Sequence, residues 1–131
     1  MEHEPARILI VDDHRPSAEL LTACLGDLGF SVSTAEDGSR AISMTAEQRF
    51  DLVILDGRMP GYDGCEVLRV LRSQQGPRPL KVLAVTGDTT EEMRSALTAL
   101  GVDGYLNKPL DLGELVNVVR KLLGETATSG A

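Results

Sequence analysis

The stretch "ILIVDDHRP", residues 8–16, decides how the rest of the chain is read. Four consecutive apolar residues, Ile8 to Val11, predict a strand buried on both faces, which is the pattern of a parallel sheet. That strand runs straight into Asp12 and Asp13. Adjacent carboxylates repel each other. Held at the end of a buried run, they need a cation or a full set of hydrogen bonds to be tolerated. The opening therefore makes two demands on the remaining sequence: crossover helices for a parallel sheet, and a partner for the paired charge.

The helices are there. "SAELLTACLGDLG" (17–29) places Leu20, Leu21, Cys24, Leu25 and Leu28 at helical spacing, with Gly29 positioned to stop it. "FSVSTA" (30–35) alternates like a more exposed strand, and "GSRAISMTAEQR" (38–49) reads as a second helix. "FDLVILD" (50–56) is again continuous and apolar. "CEVLRVLRS" (65–73) is helical until the Pro- and Gly-containing "QQGPRP" breaks it. "LKVLAVT" (80–86), an acidic-started helix "TEEMRSALTALG" (90–101), a short strand "VDGYLN" (102–107) and a helix "DLGELVNVVRKLL" (111–123) complete the pattern. Asp111 is the expected cap of that last helix, and Arg120 and Lys121 suit its C-terminal end. Strands alternating with helices predict an α/β fold, a doubly wound, mostly parallel sheet with helices on both faces.

Composition sets the outer limits. The chain has 131 residues, enough for one compact domain, and 42% of them are apolar. A net charge of -7 argues against direct nucleic-acid binding, since such a surface repels phosphates. The apolar runs are too short for a membrane span, and the polar, acidic start "MEHEPA" is not a secretory signal. Cys24 and Cys65 lack metal-ligand spacing and read as reduced, small buried side chains in a cytoplasmic protein.

In a doubly wound sheet, ligands bind beyond the C-terminal strand ends, where the strand order reverses. Asp12 and Asp13 end the first strand, Asp56 the third and Thr86 the fourth, and Lys108-Pro109 follow the fifth. Three carboxylates gathered there attract a hard divalent cation, and Mg²⁺ takes a few carboxylates while keeping several waters. Such a cation answers the charge problem of the opening aspartates. An aspartate, with an ordinary pKa of about 3.9, is ionised at neutral pH and can act as a nucleophile toward a phosphoryl group. An ammonium and a hydroxyl then stabilise the charge spread over the phosphoryl oxygens. Glu36 and Asp37, by contrast, read as an ordinary solvated turn. His14 suits a turn or helix start better than a metal that prefers oxygen.

These residues carry a resemblance. "ILIVDDH", "DLVILDGRMPGYDG", "LAVTGD" and "GYLNKP", in this order and at these separations, resemble the receiver domain of two-component response regulators over residues 7–123. Residues 1–6 are then an N-terminal tail, and 124–131 a flexible tail or the start of a linker. The resemblance implies a flavodoxin-like, five-stranded parallel sheet in order 2-1-3-4-5. It makes Asp56 the phosphoacceptor and Asp12, Asp13, Asp56 and the backbone carbonyl of Arg58 the ligands of Mg²⁺, with Mn²⁺ as an expected substitute. Thr86 and Lys108 contact the phosphoryl oxygens, and Tyr105 is the aromatic residue that turns inward as Thr86 moves. The Lys108–Pro109 peptide is expected to be cis. The implied function is that of a phosphorylation-switched signalling domain, which assists only its own phosphorylation and dephosphorylation. The phosphoryl group comes from a histidine kinase or a histidine phosphotransfer protein, and the output is the face formed by the fourth helix, fifth strand and fifth helix. The chain itself names neither the kinase nor the downstream output.

Some positions depart from the common pattern. Leu110 stands where the family often has Phe, and Gly57 where a larger residue is common. Arg58 and Asp88 flank the entry path of attacking water and are candidates for tuning dephosphorylation, either as a pair or as independent surface charges. A haloacid-dehalogenase-type phosphatase needs D-x-D at its nucleophile, whereas Arg58 stands where that second acid would be, and the chain leaves no room for a cap. A docking-only pseudo-receiver would not keep the full set of Asp12, Asp13, Asp56, Thr86 and Lys108. Parts of the text are also reminiscent of receivers in hybrid histidine kinases, though standalone regulators share them.

Overall fold

The computed structural model describes residues 5–56, 64–74, 80–87 and 90–124. The expected alternation is present: β1 (Arg7–Val11), α1 (Arg15–Asp27), β2 (Ser31–Ala35), α2 (Gly38–Glu47), β3 (Leu52–Asp56), α3 (Gly64–Ser73), β4 (Lys81–Thr86), α4 (Glu91–Ala99), β5 (Gly104–Asn107) and α5 (Leu112–Leu122). All neighbouring strands are parallel, and the sheet order is β2-β1-β3-β4-β5. This is the doubly wound, flavodoxin-like topology, with its reversal of strand order between β1 and β3.

Strand alternation sends successive side chains to opposite faces and so builds two cores. Leu9, Val11, Val53, Leu55, Val82 and Ala84 face the layer of α2, α3 and α4, where they meet Ala41, Met44, Val67, Leu68, Leu71 and Leu97. Ile8, Ile10, Leu52, Ile54, Leu83, Val85 and Leu106 face α1 and α5, where they meet Ala18, Leu21, Leu25, Leu115 and Val119. The central strands are buried on both faces, as their continuous apolar runs require, while the edge strand β2 mixes exposed and half-buried residues until Ala35.

Three details differ from the sequence expectation: the start of α1, its buried face, and the burial of the two cysteines. The first helix starts at Arg15, two residues earlier than Ser17. His14 caps it by accepting the Ser17 main-chain N–H on Nδ1 at 3.3 Å, and Pro16 fits the first turn because its missing N–H has no intrahelical partner there. Leu20 and Leu28 are also outside the core, at 55% and 40% exposure, because the buried stripe of α1 is Ala18, Leu21 and Leu25. Gly29, at φ +97°, ends this helix in the left-handed conformation that glycine adopts without strain. Asp111 caps α5 as expected, its side chain accepting the Glu114 N–H at 3.0 Å. Cys24 and Cys65 are thiols rather than a disulfide, and both are only half-buried. Among the described residues, no helix is long and apolar enough to cross a membrane.

Candidate functional site

Register alone brings the site residues to one rim. Val11 pairs with Leu55, so Asp12 follows beside Asp56. Asp56 pairs with Val85, so Thr86 lies one step further along the next strand. Thr86 pairs with Asn107, so Lys108 comes directly after. The main chain extends this order past the strands: Asp12 N–H donates to the Ala35 carbonyl at 3.1 Å, and Lys108 N–H to the Thr86 carbonyl at 2.9 Å. The Lys108–Pro109 peptide is cis, as expected.

Asp12, Asp13 and Asp56 each offer a carboxylate oxygen, and these oxygens lie within 4.8 Å of one another. Lys108 Nζ sits 3.3 Å from Asp56 Oδ2 and 3.6 Å from Asp12 Oδ2. Asp12 Oδ1 also accepts the main-chain N–H of His14 at 2.9 Å. His14 thus serves the site through its backbone, and its ring is occupied with capping. Asp12 and Thr86 are the buried polar residues among those described, and Asp13 is exposed. Among the described residues, the cluster carries three carboxylates against one ammonium. Its grouped carboxylates, its oxygen donors and its partial exposure are the chemistry that a hard divalent cation such as Mg²⁺ requires. The residues present therefore fit that ion.

The cluster also has two sides. Asp12 continues the alternation of Ile8 and Ile10, Asp56 that of Leu52 and Ile54, and Lys108 that of Leu106, all toward α1 and α5. Thr86 continues Val82 and Ala84 toward α3 and α4, the layer against which Tyr105 packs. A cavity of about 290 Å³ opens beside the carboxylates on the first side, with Ser17, Leu20, Lys108 and Leu110 in its wall. Leu110 fills less of that space than a phenylalanine would.

The sequence expectation thus finds Asp12, Asp13, Asp56 and Lys108 in one cluster, with Thr86 at the same rim and Tyr105 behind it. Arg58, including its backbone carbonyl, and Asp88 lie outside the described residues, as does Gly57. The sequence reading missed the backbone contact of His14 to Asp12 and the placement of the Arg94 guanidinium carbon 5.4 Å from the centre of the Tyr105 ring. The position of His14 two residues after Asp12 could have signalled the first, as a turn made by an aspartate side chain. Nothing in the sequence signals the second.

Comparison with known proteins agrees with this geometry. The family model described as the response regulator receiver domain matches residues 8–120. Among curated proteins, the chain is 44% identical over 123 residues to the response regulator MprA of Mycobacterium sp. (strain KMS), covering 94% of this chain and 53% of that protein. The chain therefore spans about half the length of the curated relatives it matches. Among solved structures, it superposes on the receiver domain of the sensor histidine kinase PA1611 from Pseudomonas aeruginosa PAO1, which has a magnesium ion coordinated in its active-site cleft. The TM-score is 0.84 at 29% identity, covering 92% of this chain and 99% of that one. It likewise matches the response regulator TrrA of Thermotoga maritima in complex with Mg²⁺-BeF, with a TM-score of 0.79 at 36% identity, covering 89% and 98%. With its sheet order, its acidic rim and a family match spanning both, the chain belongs to the response regulator receiver domains of two-component systems.

Proposed function

We propose that this chain is a phosphorylation switch whose acceptor is Asp56. Asp12, Asp13, Asp56 and the backbone carbonyl of Arg58 would hold Mg²⁺, or Mn²⁺ in its place, which supplies positive charge to the phosphoryl oxygens when bound. The donor is a phosphohistidine of a histidine kinase or phosphotransfer protein. The Asp56 carboxylate oxygen attacks phosphorus, the P–N bond breaks, and the imidazole leaves. Lys108, already within 3.3 Å of the acceptor oxygen, stabilises charge on the transferred group, and Thr86 donates its hydroxyl to it. The single observation that carries this reading is the Asp56–Lys108–Asp12 contact beside Asp13 at the C-terminal rim of the sheet. That acidic set is what the magnesium-bearing cleft of the Pseudomonas receiver suggests by likeness.

The phosphoryl group draws Thr86 toward itself, opening space on the α4 side of the sheet. Tyr105 then turns inward, and the surface formed by α4, β5 and α5 changes shape. The change can only be as large as the difference in contacts between the two states, so the switch is a shifted population. Arg58 and Asp88 set how fast water removes the group, and the chain works in the cytoplasm. The test is incubation with acetyl phosphate and Mg²⁺, followed by mass spectrometry. One base-labile, hydroxylamine-sensitive phosphoryl group is expected on the wild-type chain and none on Asp56→Asn. Magnesium-dependent labelling that persists in that variant would refute the assignment.

A further inference from the structure

Tyr105 is half-buried and packs with Met93 and Leu100 against the core between the sheet and the α3–α4 layer. Over its ring stands the exposed Arg94, with the guanidinium carbon 5.4 Å from the ring centre. A guanidinium in this position is attracted by the negative face of the aromatic ring. Its backbone is firmly set: Thr90 caps α4 by accepting the Met93 N–H, and Leu97, one turn beyond, is fully buried. Arg94 N–H itself donates to the Thr90 carbonyl at 3.2 Å. The cation is thus presented to the ring by an anchored helix.

We infer that Arg94 is a positioning residue that holds Tyr105 in its half-exposed place and so sets the threshold of the switch. This rests on the inward turn of Tyr105 described under the proposed function. An inward ring enters the layer lined by Ala84 and Leu97. The exposed guanidinium does not follow, because taking it among apolar side chains such as Ala84 and Leu97 strips its hydration. The contact is therefore made in one ring position and lost in the other, and a contact made in only one of two states biases the balance between them. Arg94 acts as a restraint that phosphorylation must overcome. A receiver with a neutral residue here would sit closer to its active arrangement before any phosphoryl group arrived.

The experiment is ¹⁹F NMR on chains labelled with 3-fluorotyrosine, with Tyr62 and Tyr105 signals assigned through Tyr62→Phe and Tyr105→Phe. Without any phosphoryl analogue, Arg94→Gln and Arg94→Met are expected to raise the inward population of Tyr105 by about two- to fivefold, while Arg94→Lys stays near wild type. Unchanged populations in both neutral variants overturn the inference. So does a rise in Arg94→Lys as large as theirs, which would assign the effect to packing of the side-chain stem. Adding beryllofluoride and Mg²⁺ to the wild-type chain separates the two readings. If Tyr105 moves there but the neutral variants match wild type without it, the restraint fails and the switch stands. If Tyr105 stays put at full occupancy, both fall.

Discussion

Replacing Asp56 by asparagine is expected to make the metal-free protein more stable, although it removes a residue that contacts Lys108. Among the described residues, Asp56 is within 4.8 Å of two other carboxylates and 3.3 Å from the ammonium of Lys108. At an effective dielectric of about 20, each repulsion is about 3.5 kcal/mol and the attraction about 5 kcal/mol, so neutralising Asp56 leaves a net gain of about 2 kcal/mol. Lys108 is 30% exposed, and with the full screening of water the same sum shrinks to about 0.5 kcal/mol. The variant should therefore gain about 0.5–2 kcal/mol, or about 2–8 °C in Tm for a domain of this size. The assay is urea denaturation and calorimetry in a chelator, repeated at rising Mg²⁺. The wild type should overtake the variant as Mg²⁺ saturates, since an ion present at about 100 times its Kd adds about 2.7 kcal/mol to the state that binds it. A variant that is less stable than wild type by about 1 kcal/mol or more in chelator would show that attraction to Lys108 outweighs the carboxylate repulsion, and the electrostatic account of the site would be wrong.

Two further substitutions probe the frame that holds the site. Arg72 reaches from α3 to the carbonyls of Leu80 and Gly101 and to Asp103, whose carboxylate also takes the Val82 N–H at 2.8 Å. Arg72→Ala should cost about 1–3 kcal/mol in urea titrations, because acceptors at the entrances of β4 and β5 lose their donor; a loss below about 0.5 kcal/mol would class it with ordinary surface ion pairs. At Gly104 an added Cβ would meet Leu83 Cδ1 at 3.0 Å and Leu122 Cδ1 at 3.3 Å. Gly104→Ala should therefore destabilise by about 1–3 kcal/mol, and an equal or higher Tm would mean that β5 and α5 separate at little cost.

Much of this was legible because burial writes itself into the strands. "ILIV" and "LVIL" are apolar at every position since both faces of β1 and β3 are covered, and the residues just past such runs fall on one rim of a parallel sheet. The rim residues could be named from spacing alone, and strand register did the rest. Helix faces were harder. Leu20, Leu21, Leu25 and Leu28 all fit one helical stripe, yet only Leu21 and Leu25 are buried, because spacing gives the width of a stripe and not which flank meets the sheet. The stretch read as the first helix began at Ser17, two residues inside the observed start at Arg15, whereas the reading of His14 as a turn or helix start agrees with its place as the cap. The meeting of Arg94 with Tyr105 depends on how α4 is rotated over β5, which is fixed by the seating of Leu97 in the core.

The alternation that divides the rim into two sides makes the sheet a partition with different business on each face. Asp12, Asp56 and Lys108 open toward α1 and α5, whereas Thr86 and Tyr105 belong to the layer of α3 and α4. Chemistry can thus be altered from one side without rebuilding the other. Under the proposed switch, a change on α1 or in the loop entering α5 would adjust what reaches the carboxylates, and a change on α4 would adjust what is read from them. Thr86 is 1% exposed and sits at the end of a central strand, so under the proposed switch the two sides would communicate through a place with almost no room for substitution. Diversity within such a molecule has two broad surfaces to explore and one narrow gate to leave alone.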